Sequence, residues 1–127
     1  SVIDESIYNK KKFDNYKIIV FGASKSMSHR LTQLSYYNIT VDFVVDNDEE
    51  KIGTTINGYL VMSPYDIFFE YSENHHYIVF IASMFFKEIS RSIIHYSGID
   101  SIYRIHFDHS ITKIYDVTNS YENKELV

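Results

Sequence analysis

Tyr16-Lys17-Ile18-Ile19-Val20-Phe21-Gly22-Ala23-Ser24-Lys25-Ser26-Met27-Ser28 decides the fold. The apolar run from Ile18 to Phe21 shows no polar alternation, as expected of a strand buried on both faces of a parallel sheet. It ends at a glycine, crosses a small polar turn and passes into a helical pattern. That order of strand, tight turn and helix opens a nucleotide-binding α/β unit. Ser24 is placed to cap the helix by accepting a free N–H of its first turn. Met27, Leu31 and Leu34 fall on one helical face, and Asn38 is its stop signal.

The alternation of strand and helix continues along the chain. Residues 41–45 read as the second strand, followed at once by Asp46-Asn47-Asp48. Residues 49–58 contain Gly53 and Asn57-Gly58 and read as a loop with a tight turn. A short third strand at 59–62 leads to Ser63-Pro64, with serine as helix cap and proline at the first helical position. Ile67, Phe68 and Tyr71 pack from that helix. The fourth strand spans 77–82 and is closed by Ser83. Phe85, Ile89, Ile93 and Tyr96 share the next helical face, which Gly98 caps. Residues 99–105 hold the fifth strand.

Parallel strands need helical crossovers, and these are right-handed. The expectation is a three-layer α/β sandwich with a mostly parallel five-stranded sheet, ordered 3-2-1-4-5. Residues 16–106 form this domain. Residues 1–15 are a leader, in which Ile3, Ile7 and Tyr8 make one apolar helical face before Lys10-Lys11-Lys12. Residues 107–127 are a polar tail or a linker. Ligands in such sheets bind beyond the carboxyl ends of the strands, where the strand order reverses. That point falls between strands one and four, beside Gly22-Ala23-Ser24, Asp46 and Ser83.

Composition narrows the function. Seventeen acidic and twelve basic residues give a net charge of −5, which argues against a general binder of nucleic-acid backbone. The absence of cysteine excludes disulfides and thiolate metal sites and fits a cytoplasmic setting. No apolar run reaches the length of a membrane span. The chain starts at Ser1 without methionine, so it is either processed or a piece of a longer protein.

Gly22 lets backbone approach a ligand, and the helix behind it offers free N–H groups and a positive dipole end. A dinucleotide fingerprint would continue with glycines at 24 and 27; this chain has Ser24 and Met27. Ser24 retains a hydroxyl for phosphate. Met27 is expected either to push the helix off the sheet or to narrow the cleft. Lys25 is a candidate phosphate partner and equally a solvated lysine. Asp46, at the end of strand two, stands where an acid accepts both ribose hydroxyls and repels a 2′-phosphate, favouring NAD over NADP. It is equally placed to begin an Asx turn with Asn47 and Asp48. The candidate ligand-binding set is Gly22, Ala23, Ser24, Lys25, Asp46, Asn47 and Ser83.

His75-His76 and His106-x-x-His109 lack the partners that a metal site needs, so no metal is expected. Tyr8-x-x-x-Lys12 has the spacing of a dehydrogenase acid pair but precedes the first strand, where that chemistry has no place. No catalytic constellation is supported by spacing and location together.

Three stretches carry a resemblance to a known group. They are Ile18-Ile19-Val20-Phe21-Gly22-Ala23-Ser24, then Phe43-Val44-Val45-Asp46-Asn47-Asp48-Glu49-Glu50-Lys51-Ile52-Gly53 with Ile56-Asn57-Gly58-Tyr59-Leu60-Val61, and Ile78-Val79-Phe80-Ile81-Ala82-Ser83. Residues 16–106 resemble the Rossmann-like N-terminal domains of bacterial polysaccharide-biosynthesis nucleotide-sugar dehydratases and epimerases and of related sugar-modifying transferases. The resemblance implies a cytoplasmic nucleotide-binding accessory module in surface-glycan or capsule synthesis, with NAD or a nucleotide-sugar near Gly22 and Asp46. Catalysis in the group lies in a second domain, so a downstream catalytic domain or a second copy is an expected partner. The group's first turn often reads Gly-Ala-Gly with a further glycine, and this chain departs from it there. Two alternatives follow: a ligand-free interaction or scaffold domain of the same fold and, more distantly, a CoA-binding domain.

Overall fold

Ile18 and Val20 pack into one core cluster and Ile19 and Phe21 into another, and all four are buried. A strand covered on both faces requires layers on both sides of its sheet. The computed structural model, which describes residue 7 and residues 16–71 and 75–118, has such layers. Its strands are β1 (Tyr16–Phe21), β2 (Phe43–Val45), β3 (Thr55–Ile56), β4 (Tyr59–Met62), β5 (His76–Ile81), β6 (Ile99–Ile105) and β7 (Ile111–Asp116). Its helices among the described residues are α1 (Met27–Ser35), α2 (Pro64–Tyr71) and α3 (Phe86–Ile93).

The sheet runs β3-β4-β2-β1-β5-β6-β7. This corrects the expected five-stranded sheet to one of seven strands, with the order extended at both edges. The parallel members stand as β4-β2-β1-β5-β6, and one antiparallel strand is added at each edge. At one edge, Asn57 (φ 49°) and Gly58 (φ 83°) reverse the chain in two residues. Residues that read as loop therefore fold back as β3, with Thr55 opposite Leu60. At the other edge the chain turns at His109 (φ 68°), closed by the His106 N–H donating to the Ser110 carbonyl at 2.9 Å. The returning β7 lies in the stretch that reads as tail. It is hard to see in sequence because Ile111 and Ile114 are its fully inward residues, three apart. A register shift between Ile102 and Tyr103 breaks the two-residue period there.

α1 lies over the cluster of Ile18, Val20, Ile78 and Phe80, into which Met27 and Leu34 are wholly buried. Ile7 belongs to the same cluster; the other leader residues named above, including Tyr8 and Lys12, lie outside the described residues. α1 ends as Asn38 suggests. That residue takes φ 58°, while its N–H and that of Ile39 donate to Ser35 and Leu34, a Schellman closure in which Ile39 packs with Leu34. The N-terminus differs from expectation. The residue preceding the helix is Ser26, without a side-chain cap, and Ser24 instead hydrogen-bonds the Ser26 hydroxyl at 2.8 Å.

α2 and α3 cover the opposite face with Ile67, Phe68, Phe86 and Ile93. Ser63 does cap α2, accepting the Asp66 N–H at 3.1 Å. On α3 and just beyond it the expected face holds at Ile89, Ile93 and Tyr96, which pack with the cluster of Ile67 and Phe68, and fails at Phe85, whose place Phe86 takes. The Phe85 N–H donates to the Ser83 hydroxyl, the helix starts at Phe86, and Phe86, Ser90 and Ile93 turn inward while Phe85 is 61% exposed. Gly98 lies beyond the helix and does not cap it. Its role is close approach, since a Cβ there would sit 2.7 Å from the His75 carbonyl oxygen.

Candidate functional site

The strand order reverses at β1, whose neighbours β2 and β5 lie on either side. The chain leaving β1 must turn between their carboxyl ends. The Gly22 N–H donates to the Val45 carbonyl at 2.8 Å, with φ at +118°, a region closed to other residues. A Cβ at Gly22 would also lie 3.3 Å from the Ala82 carbonyl oxygen. Gly22 is thus wedged between the ends of β2 and β5, and that fixes where the next residues begin.

Asp46 holds the turn from the other side. Its Oδ2 accepts the Ala23 N–H at 2.8 Å, and its Oδ1 accepts the Asp48 N–H at 2.9 Å. The Lys51 ammonium stands 3.9 Å from Oδ2. The Asx turn read as one possibility from sequence is therefore present, and it coexists with an unforeseen brace onto the β1–α1 loop. An ionised carboxylate has about four acceptor positions, so two N–H partners leave acceptor capacity at a side chain that lines a cleft.

That cleft, of about 380 Å³, is bounded by Phe21, Gly22, Asp46, Asn47, Ser83, Phe85, Glu88, Ile89 and Ser92. Its charged side chains are the two acids. A second cleft, of about 230 Å³, lies on the α1 and β6 side and shares Ser83 with the first. Ser24, Ser26, Arg30, Arg104 and His106 contribute polar groups, and among the described residues that line it there is no carboxylate. The Arg104 guanidinium carbon rests 3.8 Å from the Phe86 ring centroid, a cation–π contact. Arg30 Nη1 donates to His109 Nδ1 at 3.2 Å, while its buried Nε has no hydrogen-bond partner among the described residues. Met84, Phe85 and Phe107, at the mouths of the two clefts, are 68%, 61% and 82% exposed.

The candidate residues separate on this map. Gly22, Asp46, Asn47 and Ser83 come together in the first cleft, and Ser24 joins Ser83 in the second. Ala23 is buried with its N–H held by Asp46. Lys25 is exposed and lines neither cleft. Met27 does not narrow either cleft. It is buried beneath α1, filling the gap between helix and sheet that a fingerprint glycine would close. Arg30, Glu88 and Arg104 went unnoticed in the sequence, and His106 was read there only as one of a histidine pair. Arg104 was findable, since it stands near the carboxyl end of a strand next but one to β1.

The histidine pairs have other neighbours. The His76 ring lies tilted against that of Tyr16, centroids 5.2 Å apart, at the end of the sheet away from the clefts. His106 Nε2 lies 2.7 Å from the Thr112 hydroxyl. Among the described residues no group of three or more metal-ligating side chains is present. No helix among them is long and apolar enough to cross a membrane.

A family model described as C2185-like, N-terminal, matches residues 14–106. None of the curated proteins matches the chain. Among solved structures, UDP-D-quinovosamine 4-dehydrogenase from Vibrio fischeri is similar with a TM-score of 0.60 at 14% identity, over 80% of this chain and 95% of that one. RSP, a Rex-family repressor, is similar with a TM-score of 0.55 at 17% identity, over 80% of this chain and 53% of that one. At these identities the likeness is one of fold, a mostly parallel α/β sheet of Rossmann type.

Proposed function

The chain belongs to the C2185-like N-terminal family, and we propose that it is a nucleotide-binding domain that takes NAD or a nucleotide-sugar at the carboxyl ends of β1, β2 and β5. The observation that carries this reading is the convergence of Gly22, Asp46 and Ser83 on one cleft at the strand reversal. The residues fit such a ligand on chemical grounds. Gly22 presents backbone without a side chain, and Asp46 keeps acceptor positions for ribose or sugar hydroxyls beyond its two N–H partners. The cleft volume falls within the range of small-ligand sites.

In this reading the domain is an accessory module of a cytoplasmic bacterial enzyme of surface-polysaccharide synthesis, and the reaction belongs to another domain. The sequence resemblance supports that role, as does the likeness of fold to a dehydrogenase whose name includes a UDP-sugar. Calorimetric titration with NAD and with UDP-sugars tests it: binding by either is expected, and no heat with both at millimolar ligand refutes it.

A ligand-free interaction domain is the competing reading. One observation favours it: the Ala23 N–H, which a phosphate at the first turn would use, is already taken by Asp46. Retained partner binding in Asp46→Ala, with no nucleotide carried through purification, is its expected signature.

A further inference from the structure

The two halves of the cleft differ in charge, and the difference has a chemical meaning. Asp46 and Glu88 line the first half without a cation among its lining residues. Arg30, Arg104 and His106 line the second, and among the described residues that line it there is no carboxylate. The chain as a whole carries a net charge of −5, so a wall lined by two arginines and a histidine is set apart from the rest of the molecule. Ser83 sits at the boundary and belongs to both halves.

We infer that the second half is a diphosphate subsite, in which Arg104 and Arg30 hold the phosphates of a nucleoside diphosphate whose hydroxyl-bearing part lies against Asp46. The identity of the ligand rests on the nucleotide reading above; the anion site rests on its own residues. The Arg104 guanidinium carbon lies over the ring of Phe86, on the α3 side, 3.8 Å from its centroid. A contact of that kind leaves the edge N–H groups free, and they match phosphate oxygens in pairs. Arg30 comes from α1, on the other side of the cleft from β6. Its Nη1 donates to His109 Nδ1 at 3.2 Å, which fixes the guanidinium at that wall and leaves its other terminal N–H groups for an anion. Ser24 and Ser26 line the same wall. Their mutual hydrogen bond at 2.8 Å occupies one hydroxyl proton and leaves the other to donate.

The arrangement also accounts for the missing glycines. A fingerprint turn binds pyrophosphate through bare backbone amides. Here the Ala23 amide is closed by Asp46, and side-chain cations one layer further along take over the charge. Asp46, even with Lys51 at 3.9 Å, and Glu88 disfavour phosphate in the first half relative to the arginine wall, which orients the ligand.

The test is calorimetric titration of the full chain with inorganic pyrophosphate, ADP and adenosine, for the wild type, Arg104→Gln and Arg30→Gln. Pyrophosphate and ADP are expected to bind the wild type and to weaken at least tenfold in Arg104→Gln and again when salt is raised, since exposed charge pairs are screened. Adenosine should be indifferent to both changes. Arg104 is partly exposed, so its variant is expected to melt with the wild type; a matched melting temperature makes its binding result decisive even if Arg30→Gln folds poorly. Absence of pyrophosphate binding, or wild-type affinity in a folded Arg104→Gln, overturns the inference. Pyrophosphate binding that depends on Arg104, with neither NAD nor UDP-sugars binding, upholds the anion site and removes the nucleotide reading. NAD or UDP-sugar binding that ignores both arginines does the reverse.

Discussion

The carboxylate of Asp46 accepts the backbone N–H of Ala23 at 2.8 Å, across 23 positions in sequence. It therefore ties the end of β2 to the loop leaving β1. The same side chain begins the Asx turn at Asp48 and lines the larger half of the cleft. Structural and ligand-facing roles are joined in one residue, and substitutions should separate them.

Asp46→Ala removes the acceptor of a partly buried amide and of the Asx turn. Loss of both should destabilise the chain by about 1–3 kcal/mol without any ligand. Asp46→Asn retains one oxygen for Ala23 or Asp48, so it should fall between. Urea unfolding of the three proteins orders them; equal midpoints would show that the brace contributes nothing.

Gly22→Ala should be worse tolerated than its small size suggests. The position has φ +118° and a carbonyl oxygen 3.3 Å from the added Cβ. Strain of this kind costs on the order of 1–3 kcal/mol. A thermal melt lowered by several degrees is expected; an unchanged one would mean that the turn relaxes freely.

Met27 is a core residue, wholly buried with Leu34 under α1. Met27→Ala should cost about 2–5 kcal/mol through the lost contacts and the cavity. Ligand affinity per folded molecule should not change. A gain in nucleotide affinity would restore the idea that this methionine obstructs a phosphate.

Acid stability should report on Asp116. Burial alone would raise its pKa, but hydrogen bonds from the Thr118 hydroxyl and N–H, with Lys113 at 3.1 Å, bring it down from 3.8 to about 2. A depressed carboxylate stabilises the fold above its unfolded pKa. That contribution is lost as pH falls from about 4 towards 2. It should be on the order of 1 kcal/mol after solvent screening. Wild type and Asp116→Asn compared by denaturant unfolding at pH 5 and pH 3 should differ in their pH dependence by this amount; parallel losses would exclude Asp116 as a cause.

Much of the fold was legible in 16–28, because a strand buried on both faces leaves an unbroken apolar run. A half-exposed strand would alternate, and an amphipathic helix would break the run every third or fourth residue. The edge strands were not legible. β3 is two residues beside a tight turn, and the inward residues of β7 follow a bulged register. At α3 only the start was missed: the Ser83 hydroxyl takes the Phe85 N–H, the helix begins at Phe86, and Phe86 rather than Phe85 turns inward. At the site, Gly22, Asp46 and Ser83 could be read because they terminate strands beside the reversal. Arg30 and Arg104 could not be paired by sequence spacing, since the sheet order alone brings α1 and β6 to the same cleft.

The most direct measurement is amide NMR of the full chain during titration with a UDP-sugar and with NAD. The account predicts saturable shifts centred on Gly22, Ala23, Asn47, Ser83 and Arg104 for at least one of them. Spectra unchanged at millimolar ligand, or shifts confined to surfaces away from the carboxyl ends of β1, β2 and β5, would contradict it.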